Sequence, residues 1–181
     1  SDIPLHDTYY VIGHFHYVVA PGTIFGLFAG IYYWYPKATG RYMSEMLGRI
    51  HFFGSFVAIN LVFMPMFIQG LAGVNRRLYD GGQQYAHAQD VLHWNVTMSH
   101  AAWALAFFQL FFIVNFFMSL KTGKKAPANP WNATTLDFAA TTSPPLAHGN
   151  FATEPRVYRD PYEYSLPGAS ADFVPQNAER A

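Results

Sequence analysis

Apolar side chains run almost without interruption through three stretches of the chain, Val11–Tyr35, Leu47–Leu71 and Val91–Leu120. A helix that crosses a bilayer needs about 20 predominantly apolar residues, and each stretch exceeds that length. The first holds no Asp, Glu, Lys or Arg and ends on Tyr32, Tyr33, Trp34, Tyr35 and Pro36, an aromatic belt followed by a predicted helix stop. Its internal Pro21-Gly22 pair predicts a kink. The second carries Arg49 near its mouth and Pro65 late in the span, and the third has no formal charge between Asp90 and Lys121.

Beyond Lys121 the periodicity vanishes and proline recurs at Pro127, Pro130, Pro144, Pro145, Pro155, Pro161, Pro167 and Pro175. This pattern predicts extended, mostly non-helical chain that is partly disordered at its end. The expected organisation is an outer-side loop over 1–10, spanning helices over 11–36, 46–71 and 91–120, an outer-side loop over 72–90, and an extended inner-side tail over 121–181. No repeat is visible.

Loop charges orient the spans, because Lys and Arg concentrate on the cytoplasmic or equivalent side. Lys37, Arg41, Arg49, Lys121, Lys124 and Lys125 fall on one side, and Asp2, Asp7, Asp80 and Asp90 on the other. Arg76 and Arg77 break the rule by lying with the acids, which calls for an anionic partner.

Composition agrees with a membrane chain: 51% of the 181 residues are hydrophobic and 12% charged. With no cysteine, disulfides, thiolate metal sites and haem attached through Cys-x-x-Cys-His are excluded, so any metal is held by His or carboxylate. The net charge is zero and no basic run is present, which argues against a nucleic-acid partner. The chain starts without Met or a signal-peptide pattern and reads as the later part of something longer.

Two histidines, His14 and His16, stand near the start of the first span. Each helical residue turns the chain by about 100°, so side chains two apart point to nearly opposite faces. One metal cannot easily take both, whereas two centres on opposite sides of the helix can. Gly13 is expected to let a large planar group approach beside His14, and Phe15 lies between the histidines in angle. For either histidine the alternative is an imidazole satisfied by a neighbouring helix, and for Phe15 it is helix packing.

Asp2, His6 and Asp7 form a second cluster just outside the boundary. Imidazole beside carboxylate suits a divalent cation, with Mg or Mn favoured over softer metals; the alternative is an ordinary polar loop. Arg76 and Arg77 are suited to bidentate carboxylate recognition, or are a snorkelling pair. His51, His93 and His100 are relay or packing candidates, and His87 and His148 belong to loop and tail; none of these is assigned a ligand role.

The run Leu5-His6-Asp7-Thr8-Tyr9-Tyr10-Val11-Ile12-Gly13-His14-Phe15-His16-Tyr17-Val18 resembles the signature opening the tenth transmembrane helix of subunit I in the haem-copper oxidase superfamily, specifically the cytochrome c oxidases. Similarity continues through Trp34-Tyr35-Pro36, Arg49-Ile50-His51-Phe52, Gly73-Val74-Asn75-Arg76-Arg77, Asn129-Pro130-Trp131 and Ser143-Pro144-Pro145, and is weakest after about Phe151. The resemblance is to the C-terminal portion, and it implies an all-α membrane protein with three transmembrane helices of a larger haem-copper oxidase bundle plus an extended Pro-rich C-terminal tail.

The resemblance further implies that His14 is the catalytic residue, the axial ligand of the high-spin haem where O2 is reduced to water, and that His16 is an axial ligand of the low-spin haem. His6 and Asp7 would be Mg ligands, Asp2, His6, Arg76 and Arg77 would surround haem propionates, and Phe15 would stand between the haems. The implied cofactors are haem A (low-spin haem a and high-spin haem a3), Mg, and copper (CuB) liganded by residues outside this chain.

Implied partners are the remaining N-terminal part of subunit I, subunit II, which supplies the remaining Mg ligand, other oxidase subunits, cytochrome c as electron donor, and membrane lipid. Activity, coupled to proton pumping, is expected only with those partners, in a bacterial cell inner membrane or the mitochondrial inner membrane. Quinol oxidases of the superfamily share this region, but Asp7, Thr8, Tyr9 and Tyr10 favour cytochrome c. Rival readings are a non-haem membrane module with His14 and His16 as proton relays, and a purely structural bundle.

Overall fold

The computed structural model describes residues 2–146, 151, 153–161, 163, 168 and 174–179. The disorder expected at the end of the tail, together with His148 and Pro167, lies outside the described residues. Among the described residues six α-helices follow in order: α1 (Asp2–Leu5), α2 (Tyr9–Val19), α3 (Gly26–Thr39), α4 (Glu45–Leu71), α5 (His93–Thr122) and α6 (Leu136–Ala139). Among the described residues only isolated strand-like bridges occur, between Thr8 and Asn75 and between Arg41 and Lys125. Three helical segments, Tyr9–Thr39, Glu45–Leu71 and His93–Thr122, are long and apolar enough to cross a membrane.

Prolines shape the first of these without ending it. At Pro21 the chain widens into a π-helical stretch, Ala20–Phe25, and the helix then continues as α3. The wider i→i+5 turn accommodates a proline that has no N–H to give to an ordinary helical bond. Pro36, expected to stop the helix, instead lies buried inside α3, which runs to Thr39. The last turn is held without the proline's own donor: Gly40 N–H donates to Pro36 O at 2.9 Å and the Thr39 hydroxyl to Tyr35 O at 2.8 Å. The actual terminator is Gly40, at φ +71°.

The chain forms two compact units. In the first, residues 1–30 and 45–115, α2 packs along α4. Contact is close enough that a Cβ on Gly70 would fall 2.1 Å from Tyr10 N, and one on Gly13 would fall 3.3 Å from both Met66 Cβ and Phe63 O. The Tyr17 hydroxyl donates to Asn60 Oδ1 at 2.8 Å across the same seam, and the Tyr10 ring meets Phe67 edge-on at 4.8 Å. Small residues that let backbones approach, plus a few interhelical polar bonds, are what bind helices where hydrocarbon is the solvent.

The second unit comprises residues 31–44 and 116–181. Here Lys37 is buried, and its ammonium donates to the carbonyls of Ala128 (2.7 Å), Thr141 (2.9 Å) and Phe138 (3.2 Å). Trp131 stacks on Tyr33 at 5.8 Å and donates its indole N–H to Tyr33 O at 2.8 Å. The described tail is therefore non-helical apart from α6, yet tied down by specific bonds.

Large apolar side chains stay exposed along the spans, among them Phe53 at 62% and Trp103 at 77%. In water such a surface is unfavourable, whereas against lipid tails or further helices it costs nothing.

Candidate functional site

Helix α2 begins at Tyr9 because Thr8 caps it. The Thr8 hydroxyl accepts from Tyr10 N–H at 3.3 Å and donates to Leu5 O at 2.7 Å, satisfying one of the free donors of the first turn. His14 and His16 follow in the second turn. His14 and Phe15 are exposed, whereas His16 is half-buried against α4.

The His16 ring is tightly constrained. Its Nδ1 lies 2.7 Å from Ile12 O, and since a carbonyl only accepts, Nδ1 carries the proton. In a neutral ring held this way Nε2 is the nitrogen with the lone pair, the one a metal would take. Phe63 of α4 stacks on the ring at 4.5 Å and 15°, and Phe15 at 4.4 Å and 29°. Gly13 works differently from the sequence expectation: its missing Cβ makes room for α4, at Met66, Phe63 and Phe67, rather than for a planar group beside His14.

The polar residues before α2 and after α4 gather around one non-local pairing. Tyr9 N–H donates to Val74 O at 3.0 Å and Arg76 N–H to Asp7 O at 2.8 Å, flanking the Thr8–Asn75 bridge. The Arg76 guanidinium pairs with the Asp7 carboxylate. His6 Nε2 lies 3.3 Å from the other Asp7 oxygen, and His6 Nδ1 3.7 Å from Asp2. Asp7 and Arg77 both adopt left-handed backbone, φ +56° and +64°, a strain that concentrates at functional turns.

Asp2, His6, Asp7 and Arg76 are thus brought together, while Arg77 is exposed beside them and makes no ion pair among the described residues. Arg76 Nε is buried and has no hydrogen-bond partner, so the guanidinium that pairs with Asp7 keeps an unspent donor. Among the described residues no three His, Cys, Asp or Glu side chains converge on a metal-binding geometry. Three of the other histidines are engaged elsewhere: His51 Nε2 meets Gln109 Oε1 at 3.1 Å, His93 Nδ1 meets Asp90 O at 3.0 Å, and His87 Nε2 meets Gly73 O at 3.3 Å.

Two buried polar locks were not legible as such in the sequence. Gln109 bridges His51 and Ser55, donating to the Ser55 hydroxyl at 2.9 Å. Gln69, fully buried, donates to Asn95 Oδ1 at 2.8 Å and Val91 O at 3.1 Å. The available signal was a lone Gln, Asn or Ser inside each apolar run, since an amide in hydrocarbon needs a partner.

Comparison with known proteins gives this geometry its context. Residues 1–104 match the profile of the family described as cytochrome c and quinol oxidase polypeptide I. The chain is 46% identical over 167 residues to cytochrome c oxidase subunit 1 of Synechocystis sp., covering 91% of this chain and 28% of the relative. It is 41% identical over 177 residues to the alternative cytochrome c oxidase subunit 1 of Bradyrhizobium diazoefficiens, covering 97% of this chain and 30% of the relative. The corresponding protein of Thermostichus vulcanus is 42% identical over 165 residues. The chain spans about three tenths of the length of these curated relatives. With a family profile matched through the histidine pair and the arginine pair, the chain belongs to the cytochrome c and quinol oxidase polypeptide I family.

Proposed function

We propose that this chain supplies three helices of the catalytic subunit of a respiratory cytochrome c oxidase, holding a low-spin haem through His16 and a high-spin haem through His14. The single observation that carries this reading is the histidine pair itself: His16 half-buried with its Nδ1 proton committed to Ile12 O, and His14 exposed two residues away. The donor set fits the groups. Two imidazoles on opposite faces of one helix suit two irons, and the buried, unpaired Arg76 Nε suits an anionic propionate.

When bound, the haems supply the electron transfer and the oxygen chemistry. The chain's part is positional. His14 and His16, two residues apart on a rigid helix, hold two centres close together and leave little freedom to drift. The Ile12 carbonyl fixes the orientation of the His16 ring. Arg76, Arg77, Asp2 and His6 form a polar cap for propionates, His6 and Asp7 offer two ligands to Mg with the remainder from subunit II, and Phe15 lies between the haem positions.

Haem A, Mg, a CuB copper held by residues outside this chain, cytochrome c as donor, coupled proton pumping and a bacterial or mitochondrial inner membrane belong to this same reading. The second reading, a quinol oxidase, is kept by the family description, which covers both donors; Asp7 and the following Thr8-Tyr9-Tyr10 favour cytochrome c. The test is a pyridine haemochrome spectrum of the purified complex with a mass-spectrometric inventory of its chains. Haem A together with a chain carrying copper ligands is the expected result, and absence of Soret absorption overturns the proposal.

A further inference from the structure

The least expected neighbour of His16 comes from another helix. Phe63 lies nearly flat on the imidazole, 4.5 Å between centroids and 15° between planes, the most parallel aromatic contact that His16 makes. Its backbone is close because Gly13 has no Cβ: the Phe63 carbonyl lies 3.3 Å from where that Cβ would stand. The hydrogen bond to Ile12 O anchors one nitrogen of the ring, and the Phe63 face then limits the remaining rotation of the ring about its bond to Cβ. Such sp3–sp2 torsions are broad and poorly determined on their own, so a flat neighbour has a large effect on the plane adopted.

The plane of an axial imidazole matters because its π orbital overlaps unequally with the iron d orbitals that point between the haem nitrogens. Rotating the plane changes their splitting, and with it the magnetic anisotropy and the redox potential of a low-spin iron. Tuning of this kind, by residues that touch the ligand and not the metal, is a general property of such sites.

We propose that Phe63 is a positioning residue that sets the plane of the His16 imidazole and thereby the electronic state of the low-spin haem. This rests on the reading of His16 as that haem's ligand. Phe15 cannot substitute, because it precedes His16 on the same helix and moves with it, whereas Phe63 references the ring to α4.

The experiment uses the assembled oxidase carrying Phe63→Leu, which keeps apolar bulk and removes the flat face, with Phe63→Tyr as the conservative control. Phe63→Leu is expected to retain full haem content while the g-values of the low-spin ferric centre shift or broaden in electron paramagnetic resonance, and Phe63→Tyr to restore them. Should Phe63→Leu fail to assemble, Gly13→Ala, which presses on the Phe63 backbone, is expected to give the same shift. Unchanged g-values in an assembled variant that lacks the ring or displaces it overturn the proposal. His16→Ala in parallel separates the two levels: its retaining the low-spin signal overturns the ligand reading and this proposal together, while loss of that signal beside unchanged Phe63→Leu spectra overturns this proposal alone.

Discussion

Arg76 and Asp7 are joined twice, through the guanidinium and carboxylate and through Arg76 N–H donating to Asp7 O at 2.8 Å. The pair closes the loop after α4 onto the cap of α2. It also occupies one Asp7 oxygen and leaves the other beside His6, where the proposed function puts a cation. In the assembled oxidase from cells grown with Mn in place of Mg, a bound-manganese resonance is expected in the unsubstituted protein and its loss in Asp7→Asn, while both haems remain. Arg76→Ala is expected to keep the cation and shift haem potential or proton release. Unchanged values in both variants would refute the shared cap.

His14 and His16 should be separable. His16→Ala is expected to remove the low-spin optical signature with α2 still folded, and His14→Ala to disturb the high-spin, ligand-binding haem instead. Identical spectra from the two variants would remove the opposite-face assignment.

The α2–α4 seam predicts a graded response to added methyl groups. Gly70→Ala drives a Cβ to 2.1 Å from Tyr10 N, a backbone atom that cannot step aside, whereas Gly13→Ala meets its neighbours at 3.3 Å. Overpacking typically costs about 1–3 kcal/mol, so Gly70→Ala should lie at or above the top of that range and Gly13→Ala near the bottom. Thermal stability of the purified complex reads both, and equal losses would contradict the geometry.

The Gln109 bridge should register as coupling. Interhelical polar bonds in membranes contribute about 0.6 to 1.7 kcal/mol, so a double-mutant cycle of Gln109→Leu with Ser55→Ala should give an interaction energy of that order. Additive losses would mean that the 2.9 Å bond contributes nothing.

Lys37→Met leaves three carbonyls without their shared donor. A buried acceptor left unpaired costs about 1–3 kcal/mol, and the expected consequence is faster protease cleavage between Ala126 and Thr142 with the spans intact. Unaltered cleavage would make the ammonium a bystander.

Much of the architecture could be read locally. Span length, the missing charges and the angular separation of His14 and His16 depend only on neighbours in sequence, and the structure contains three helices of the expected kind. The misreadings were tertiary. Pro36 looked like a stop because the sequence does not show that Gly40 and Thr39 complete the last turn around it. Gly13 looked like room for a ligand because nothing local shows that α4 presses there. The burial of Lys37 is invisible locally, because only the fold of the tail supplies the carbonyls around its ammonium. An anionic partner for Arg76 is expected from its place among the acids, but that the partner is Asp7 depends on two segments far apart in the chain.

The π-helical stretch Ala20–Phe25 has a consequence for indexing. In an unbroken α-helix, Ile24, eleven residues after Gly13, would return to within about 20° of the stripe that faces α4. A wide turn absorbs one extra residue, so the stripe restarts one position later. Phe25 takes that place, 6.2 Å from Phe52 of α4, and Ile24 swings out to 46% exposure. The helix thus behaves as two rulers joined with a one-notch offset: deleting a single residue between Ala20 and Phe25 would bring the two scales back into step, restore the ordinary period, and leave Phe25 facing α4, now eleven residues after Gly13, without altering any residue of the turn that carries His14 and His16.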